Sequence, residues 1–393
     1  MRRAEPLRAR SPASRRRKGG SRKRTGGDGS LGPMERTILV LREPEIRRLL
    51  DPASCLKAVE EAFTAYATGG ASLPAVINLD VMENKGEIHI KAGHLRHGSH
   101  YAVKIASGFY DNPAKGLPQN DGMVLVFDAT TGVPAALLLD NGFITEQRTG
   151  AAGAVAAKHL ARRGARVVGV VGCGNQARYQ LESLVLVRRP EEVRIYGRRP
   201  EKARACADEM ARHPGMPQGC RFAAVPSVRE AVEGADIVVT VTSSREPLVR
   251  AEWLSSGAHI TAVGSDGPDK RELHTDVLRR ADRIVADSRD QCLRLGEIHH
   301  AVAEGAILEN RIACELGEIT AGLRPGRSSD AEITVCDLTG VGVQDVAAAA
   351  VVIARARAEA LGQTLNITDR ALDTVAVRPV GALAGRITRN DQV

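Results

Sequence analysis

The chain has 393 residues, and 43% of them are apolar, which is enough for two domains with a hydrophobic core each. Its net charge of +8 would suit a nucleic-acid partner. The charge is concentrated, however: residues 1–33 hold 11 Lys and Arg against Glu5 and Asp28, so residues 34–393 sum to −1. A nucleic-acid role is therefore not expected for the folded body and would have to reside in the tail.

Residues 1–33 are rich in Gly, Ser and Arg and lack the large apolar residues that a core needs, so we expect a disordered tail. Three explanations compete: an upstream start codon, a basic arm for nucleic acid or a membrane surface, and an Arg-rich transit peptide. The first is favoured because Met34 directly precedes the first patterned segment, residues 37–41. No apolar run follows the basic stretch, which argues against secretion.

The seven cysteines are scattered singly, with no C-x-x-C pair, as is typical of reduced thiols rather than a disulfide framework. The longest apolar run near the end of the chain, residues 346–354, is too short to cross a bilayer. We therefore expect a cytoplasmic protein without a membrane partner.

From Pro44 to Tyr66, apolar residues recur at helical spacing and predict one or two helices around Asp51. Short β-rich segments separated by glycine turns follow, which is typical of an antiparallel sheet. The predicted strands are residues 76–80, 87–91, 101–105, 123–127 and 135–139. An Ala-rich segment, residues 149–160, is then predicted to be a helix that bridges two domains.

Strands and helices alternate from residue 166 to about residue 287, which predicts a parallel sheet of the Rossmann type. The chain closes with a predicted strand, 333–338, and a helix, 344–361, which we expect to return to the first domain. The predicted fold class is α/β, with a Rossmann NAD(P)-binding domain at 151–329. A discontinuous α+β domain would comprise 34–150 and 330–375, with tails at 1–33 and 376–393.

An apolar strand, a glycine-rich turn and a helix occur in that order from residue 167, which is how a Rossmann unit begins. Gly172 would make the tight turn, and Gly174 would let a pyrophosphate approach the backbone. The following helix would offer free N–H groups to the phosphates. The predicted cofactor-binding residues of this turn are Gly172, Gly174, Asn175, Gln176 and Ala177. The alternative is a glycine-rich turn that binds no ligand.

The residues after the next predicted strand indicate which nicotinamide cofactor binds. An acidic residue there would accept a hydrogen bond from the ribose 2′-hydroxyl of NAD, but this chain reads Gly197, Arg198, Arg199. Arg198 suits the 2′-phosphate of NADP, because a guanidinium pairs bidentately with phosphate oxygens. NADP(H) is therefore preferred, and NAD(H) is the alternative. The opposing interpretation places both arginines on a solvated loop.

Three residues suggest chemistry before any family is considered. Lys104 lies in the middle of a predicted strand among apolar neighbours, where an unpaired charge is unfavourable. Arg148 lies near the start of the Ala-rich helix, a suitable place to hold a substrate carboxylate. Asp266 follows the predicted strand 259–263 and is placed to exchange protons near the nicotinamide. Lys104 could instead be a partly exposed lysine on an edge strand, and Arg148 could be an arginine at a helix start that forms a salt bridge.

Six segments together resemble the ornithine cyclodeaminase and mu-crystallin family over residues 40–370. The segments are 101–104, 116–118, 144–149, 172–177, 263–273 and 337–345. The resemblance implies a substrate-binding and dimerisation domain built from both chain ends, a homodimer, and a Rossmann domain between those ends. The roles that it implies are substrate-carboxylate binding by Lys104 and Arg148, catalysis by Asp266 and Lys104, and cofactor contacts by Lys270, Thr242 and Val263.

The sequence departs from the family pattern at the substrate carboxylate. Ala75 stands where many members carry an arginine. Lys91 and His89 alternate along one predicted strand, so they share a face and could supply the missing contact. If both point inward, the pocket has more cations than one carboxylate needs and would favour a second acidic group, such as that of iminosuccinate. The alternative is that Lys91 extends to solvent.

The histidines His94, His97 and His100 invite a zinc interpretation. Their H-x-x-H-x-x-H spacing lies in a glycine-containing turn with no nearby cysteine or carboxylate, and it matches neither a helical nor a ribbon zinc site. We therefore predict no metal.

The leading hypothesis is an NAD(P)H-dependent oxidoreductase that reduces a small imino acid, such as pyrroline-2-carboxylate or iminosuccinate, or runs the reverse amino-acid dehydrogenase reaction. The first alternative that the resemblance implies is an ornithine cyclodeaminase, a lyase that reduces and reoxidises NAD within one turnover. The second is a non-catalytic, NADPH-dependent small-molecule-binding protein. Asp266 occurs in both enzyme branches, whereas Arg198 at the cofactor edge favours the reductase.

Overall fold

The computed structural model describes residues 36–368, so the two predicted tails, 1–33 and 376–393, lie outside that range. The elements of the first part of the chain are β1 (Thr37–Arg42), α1 (Glu43–Leu49), α2 (Pro52–Ala67), β2 (Ala71–Ser72), β3 (Ile77–Val81), β4 (Gly86–Leu95), β5 (His100–Phe109), β6 (Asn120–Asp128), β7 (Pro134–Leu139) and α3 (Phe143–Leu160). They agree with the predicted helices and strands to within a few residues at most ends.

The second part begins after α3 and alternates strands with helices. Its elements are β8 (Val167–Val171), α4 (Asn175–Leu184), β9 (Glu192–Tyr196), α5 (Pro200–Arg212), β10 (Arg221–Val225), α6 (Val228–Val232), β11 (Ile237–Thr240), β12 (His259–Ala262), α7 (Thr275–Arg280), β13 (Arg283–Ala286), α8 (Arg289–Cys292), α9 (Gly296–Ala303), β14 (Ile312–Glu315), α10 (Leu316–Thr320), β15 (Thr334–Asp337), α11 (Gly342–Ala358) and β16 (Gln363–Asn366).

Within residues 36–368 the first sheet has eight strands, in the order β16-β1-β7-β6-β5-β4-β2, and β3 also pairs with β4. The pairs from β4 to β7 are antiparallel, which confirms the prediction from the glycine-punctuated strands. The pair β1–β7 is parallel. In this ladder Lys91 on β4 lies directly opposite Lys104 on β5, so the two side chains share one face of the sheet.

The second sheet also has eight strands in the described part of the chain, all parallel, in the order β10-β9-β8-β11-β12-β15-β13-β14. The strand order reverses between β8 and β11, which is where ligands bind in open α/β sheets. The prediction that strand 333–338 returns to the first domain is wrong, because β15 lies between β12 and β13. A short, fully buried apolar strand fits either sheet, so its sequence pattern does not select its partners.

Helix α3 connects the two sheets, and it begins at Phe143 rather than at the predicted residue 149. Asp140 Oδ2 accepts the backbone N–H of Ile144 at 2.8 Å, which satisfies one of the free amides of the first turn. Most residues of α3 are buried, and their small size lets α4 pack closely against the helix. The early start places Arg148 in the second turn of α3 instead of at its beginning.

Helix α11 returns the chain to the first sheet, where it packs against α2, β4 and β5. Its apolar residues share a core with Leu41, Phe63 and Val124. Strand β16 then pairs antiparallel with β1. The helix of the closing pair therefore returns as predicted, although the strand before it does not. None of the helices in the range 36–368 is both long and apolar enough to cross a membrane.

Candidate active site

The turn after β8 has the backbone of a dinucleotide-binding site. Gly172 has a φ of 125°, and a β-carbon there would lie 2.7 Å from Val241 O, so the turn requires glycine. At Gly174 a β-carbon would meet no atom within 4 Å, so the space beside the turn is open. Helix α4 begins at Asn175 and offers its N–H groups and positive dipole end there, while Ala177 is buried against the sheet. These residues fit the pyrophosphate of a nicotinamide dinucleotide.

Gln176 connects this turn to the helix that carries Arg148. Its Nε2 donates to Glu146 Oε2 at 2.7 Å and to Glu146 O at 3.3 Å. Burial raises the pKa of Glu146, and hydrogen bonds from Asn120 and Gln176 oppose that rise. The sequence predicted a cofactor contact for Gln176, whereas the structure places its side chain between the cofactor turn and α3.

The residues after β9 lie beside the same turn. Arg198 is exposed. A β-carbon on Gly197 would overlap Cys173 Sγ, so the thiol occupies the space in which an acidic side chain would begin. Burial raises the pKa of the Cys173 thiol, and nearby cations that include Lys202 and Arg199 oppose the rise. This corner of the site is therefore positively charged.

A buried ion cluster lies between the first sheet and helices α3 and α11. Arg148 Nε is 3.0 Å from Asp345 Oδ1, and Lys104 Nζ is 3.8 Å from Asp345 Oδ2. Arg148 Nη1 also donates to Gln344 Oε1 at 2.8 Å. The three charged side chains are each at most 5% exposed. The predicted pair, Lys104 and Arg148, is thus brought together by a carboxylate that the sequence analysis did not single out.

Lys91 completes the cluster and does not extend to solvent, since it is 7% exposed. Its Nζ donates to Thr339 O at 3.0 Å and to Gly340 O at 2.8 Å. Burial lowers the pKa of Lys91, and the charge of Arg148 lowers it further. Among the described residues the cluster therefore combines three cations, Lys91, Lys104 and Arg148, with the carboxylate of Asp345.

Lys104 has a pKa close to neutral pH. Burial lowers its pKa to about 7, and the neighbouring cations Arg148 and Lys91 act in the same direction. The carboxylate of Asp345 opposes this effect. Burial by itself raises the pKa of Asp345, but the cations around it hold that pKa below its usual value. An anionic ligand bound beside these cations would favour the protonated form of Lys104.

Asp266 lies in the loop after β12 and remains 39% exposed. Lys270 Nζ is 2.8 Å from Asp266 Oδ1 and 3.0 Å from Glu87 Oε1, so it connects the loop to β4 of the first sheet. Burial raises the pKa of Asp266, but the charges of Lys270 and His89 outweigh it and hold the pKa well below its usual range. Asp266 is therefore ionised at neutral pH.

Thr242 lies two residues past the end of β11 and Val263 directly follows β12, both at the carboxyl edge of the parallel sheet. Val263 is buried and Thr242 is partly exposed. This edge, next to the dinucleotide turn, is where the predicted nicotinamide contacts should lie.

Several carboxylates of the site were not predicted. A weak signal existed for Asp345, because it directly precedes the apolar run of α11, although an acidic residue is common in the first turn of a helix. Glu87 and Glu146 have polar neighbours in the sequence and gave no comparable signal. Their partners, Lys270 and Gln176, lie far away in the chain, so only the fold brings each pair together.

His94, His97 and His100, the three histidines considered for zinc, lie around the turn that joins β4 to β5 and not in the ion cluster of Lys91, Lys104, Arg148 and Asp345. His97 has a φ of 64°, and His100 Nδ1 is 2.7 Å from Ser99 Oγ. In the part of the chain that the structure describes, no group of three or more His, Cys, Asp or Glu is arranged to hold a metal ion.

The fold and the site together define a class of protein. A Rossmann sheet with an open dinucleotide turn faces a second sheet that carries buried cations, as expected for a nicotinamide-dependent enzyme that acts on a small anionic substrate. A sequence model of the ornithine cyclodeaminase/mu-crystallin family matches residues 35–360, and the chain belongs to that family. The resemblance noted in the sequence is thus confirmed.

Relatives and solved structures match over nearly the same range. Alanine dehydrogenase of Archaeoglobus fulgidus is 38% identical over 332 residues, which cover 84% of this chain and 98% of that protein. Iminosuccinate reductase of Paracoccus denitrificans is 36% identical over 330 residues, which cover 84% and 100%. The Thermococcus litoralis Δ1-pyrroline-2-carboxylate reductase, solved with NADH and L-proline, has a TM-score of 0.79 and 35% identity, with 83% and 99% covered. These similarities confirm the α/β fold class and support an oxidoreductase that acts on carbon–nitrogen bonds.

Proposed function

We propose that the protein is an NAD(P)H-dependent reductase that converts a small imino acid into the amino acid, or catalyses the reverse oxidation. The observation that carries this proposal is that two parts of the fold meet at one place. Lys270 Nζ joins Asp266, in the loop beside the cofactor edge, to Glu87 on β4, the strand that also carries Lys91, at 2.8 and 3.0 Å. The cation cluster and the cofactor edge therefore serve one site.

In this proposal Arg148 and Lys104 bind the α-carboxylate of the substrate. Arg148 uses Nε and Nη1 within the protein, which leaves Nη2 to donate to a substrate oxygen. A substrate carboxylate also stabilises the protonated form of Lys104, because it adds negative charge next to the buried ammonium. Fixing the carboxylate in this way orients the imine carbon toward the cofactor edge.

Asp266 would remain a carboxylate throughout. A pKa held well below the usual range makes Asp266 a poor acid, so in this proposal it does not deliver the proton that its position in the sequence suggested. An ionised Asp266 instead stabilises the positive charge of a protonated imine. When bound, a reduced nicotinamide supplies a hydride. As the imine carbon gains that hydride, the C=N electron pair moves to nitrogen and neutralises the iminium. Reduction of a protonated imine therefore needs no proton from Asp266.

For the cofactor, we propose a preference for NADP(H), with NAD(H) as the weaker alternative. Gly197 carries no carboxylate, Cys173 occupies the adjacent space, and Arg198 is exposed and free to approach a 2′-phosphate. Fluorescence titration should give a lower Kd for NADPH than for NADH. Arg198→Ala should weaken NADPH binding about tenfold and leave NADH binding unchanged. Equal affinities in the unaltered protein would refute the preference.

We also propose that the protein is a homodimer. The archaeal alanine dehydrogenase, 37% identical by structural alignment, was solved as a dimer with NAD. In this chain Ile77 and Leu79 on β3 are 59% and 53% exposed and lie on one strand face, and Met82 beside them is 78% exposed. Light scattering should report twice the chain mass. Replacing Ile77 and Leu79 with Ser should shift the protein toward the monomer.

The function is tested by following the absorbance of NADPH and NADH with the full-length protein. The panel is pyrroline-2-carboxylate, piperideine-2-carboxylate, pyruvate with ammonia, and oxaloacetate with ammonia. Stoichiometric cofactor oxidation with one of these would support the reductase and name its substrate class. A silent panel with ammonia release from ornithine would indicate a cyclodeaminase, and tight NADPH binding without any turnover would indicate a binding protein.

A further inference from the structure

A carboxylate that the proposed reaction does not use lies directly beneath the cofactor edge. Glu272 is fully buried. Its Oε1 accepts the backbone N–H of Thr242 at 2.5 Å, and its Oε2 accepts the backbone N–H of Gly264 at 2.9 Å. One side chain thus holds the residues that follow two neighbouring strands, β11 and β12. The approach is so close that a β-carbon at Gly264 would lie 2.6 Å from Glu272 Oε2.

The two contacts of the Glu272 side chain lie where β11 and β12 leave the sheet. The ladder between β11 and β12 ends at the pair Thr240–Ala262, and beyond it the backbone N–H groups of Val263 and Gly264 both donate to Thr240 O, at 3.0 and 3.2 Å. Those residues are the edge on which the nicotinamide is expected, and Asp266 lies two residues past Gly264. Glu272 adds to these bonds, because it ties Gly264 to Thr242, which none of them reaches, at the point where the strands leave the sheet.

The backbone at Glu272 is held in turn by a second buried acidic side chain, that of Glu297. Its backbone N–H donates to Glu297 Oε1 at 2.7 Å, and the N–H of Leu273 donates to Glu297 Oε2 at 3.0 Å. Glu297 is buried in the first turn of α9, and Asp337 Oδ2 accepts the N–H of Ile298 in the same turn at 2.9 Å. The buried carboxylates thus form a continuous support from β15 to the cofactor edge.

The Asp266 loop is fixed at both of its ends by this support. At one end Gly264 is bound by the Glu272 side chain, and at the other end Glu272 is bound by Glu297. Between them Ser265 Oγ donates to Lys270 O, and Lys270 Nζ holds Asp266. A shift of Glu272 would therefore move Asp266 and the residues after β11 together.

We propose that Glu272 is a positioning residue for hydride transfer: its carboxylate fixes the residues after β11 and β12 and the Asp266 loop relative to the bound nicotinamide. This inference deepens the proposed reductase function and rests on it. A displacement of about 1 Å at a reacting centre can cost roughly a hundredfold in rate, so the position of these residues matters for hydride transfer.

A purely structural role makes a different prediction, and a second acidic residue of the same sheet provides a control. Asp236, at the opposite edge of the same sheet, accepts the backbone N–H groups of Arg166 and Val167 through Oδ2, at 2.7 and 2.9 Å, and forms an ion pair with Arg162 through Oδ1. Asp236→Asn removes the charge that pairs with Arg162, whereas Glu272→Gln removes one of two oxygens that each accept a backbone amide, so both changes perturb contacts of the same sheet. Only the second change affects the cofactor edge.

The first readout needs no cofactor and no substrate. Hydrogen–deuterium exchange of the free protein should show faster exchange of residues 240–242 and 264–270 in Glu272→Gln, while Asp236→Asn leaves these segments unchanged. If Glu272→Gln does not fold, Glu297→Gln should give the same local change with a smaller amplitude. Unchanged exchange in the loop would overturn the proposal even if the reductase activity had not been found.

The second readout is kinetic. With the substrate found in the panel, Glu272→Gln should lower kcat at least tenfold and raise the deuterium isotope effect of 4-deuterated cofactor, with the cofactor Kd within about threefold of the original. Glu272→Asp should recover part of the rate. A loss of kcat no larger than in Asp236→Asn, with the isotope effect unchanged, would show that Glu272 supports the fold only. If no panel substrate turns over, the reductase proposal fails and the exchange result still decides the role of Glu272.

Discussion

Lys104 offers the sharpest prediction, because its charge is set by the fold. The ammonium is 3% exposed and lies beside Arg148 and Lys91, and burial together with these charges lowers its pKa to about 7. Binding of a substrate carboxylate to the free enzyme requires the protonated form. The affinity for anionic ligands should therefore fall as the pH rises through about 7, rather than through the ordinary lysine value of 10.5.

The magnitude follows from the fraction of protonated Lys104. With a pKa of about 7, roughly nine-tenths of the side chains carry the proton at pH 6 and about one in a hundred at pH 9. The kcat/KM, which reports on the free enzyme, should fall about a hundredfold over that range. The kcat should fall much less, because a bound carboxylate keeps Lys104 protonated.

The assay must separate Lys104 from the titration of the imine itself. Binding of pyrrole-2-carboxylate, whose carboxylate stays ionised from pH 6 to 9, should be measured alongside the kinetics. Lys104→Arg keeps the charge at every pH and should move the decline in affinity to higher pH. Lys104→Met should bind the carboxylate at least tenfold more weakly, with no decline near pH 7. An unaltered enzyme with constant affinity from pH 6 to 9, or an arginine variant with the same profile, would refute the reasoning.

Further predictions concern stability and the neighbouring residues. The unfolded chain binds a proton at Lys104 that the folded protein lacks between about pH 7 and 10.5, so this group makes stability rise with pH across that window, and Lys104→Met should flatten the rise in urea unfolding. Lys91→Met should weaken a dicarboxylic imine far more than pyrroline-2-carboxylate, and equal losses in steady-state kinetics would contradict a second carboxylate subsite. Lys270→Met should raise the pKa of Asp266 toward its usual range, which carbon-detected NMR can follow. Gly172→Ala should weaken cofactor binding at least tenfold in fluorescence titration, because the new methyl group would press on Val241 O.

The sequence predicted the parts of the site that depend on local pattern. The strand–turn–helix at Gly172 and the alternation of β4 and β5 follow from short-range geometry, so their positions agree with the structure. Lys104 could be selected because a lysine within an apolar strand is unfavourable without a partner. That partner, Asp345, lies 241 residues away and could not be assigned before the fold joined α11 to β5.

The predictions that failed, and the residues that were missed, also depended on contacts between distant parts of the chain. Strand β15 is short and wholly buried, so its sequence gave no indication of which sheet it joins. Alternation along β4 placed Lys91 and His89 on one face but did not decide between solvent and interior. The structure turns Lys91 inward because the carbonyls of Thr339 and Gly340 are available to its ammonium. Glu272 gave no signal, since its partners are backbone amides, which every sequence contains.

The most direct test of the account is to supply NADPH or NADH deuterated at the transferable position of C4, with pyrroline-2-carboxylate and with oxaloacetate plus ammonia, and to analyse the product by mass spectrometry. The account predicts an amino acid that carries one deuterium on its α-carbon, formed in equal amount to the oxidised cofactor. An amino acid without deuterium, or proline and ammonia formed from ornithine with no net change in the cofactor, would contradict it.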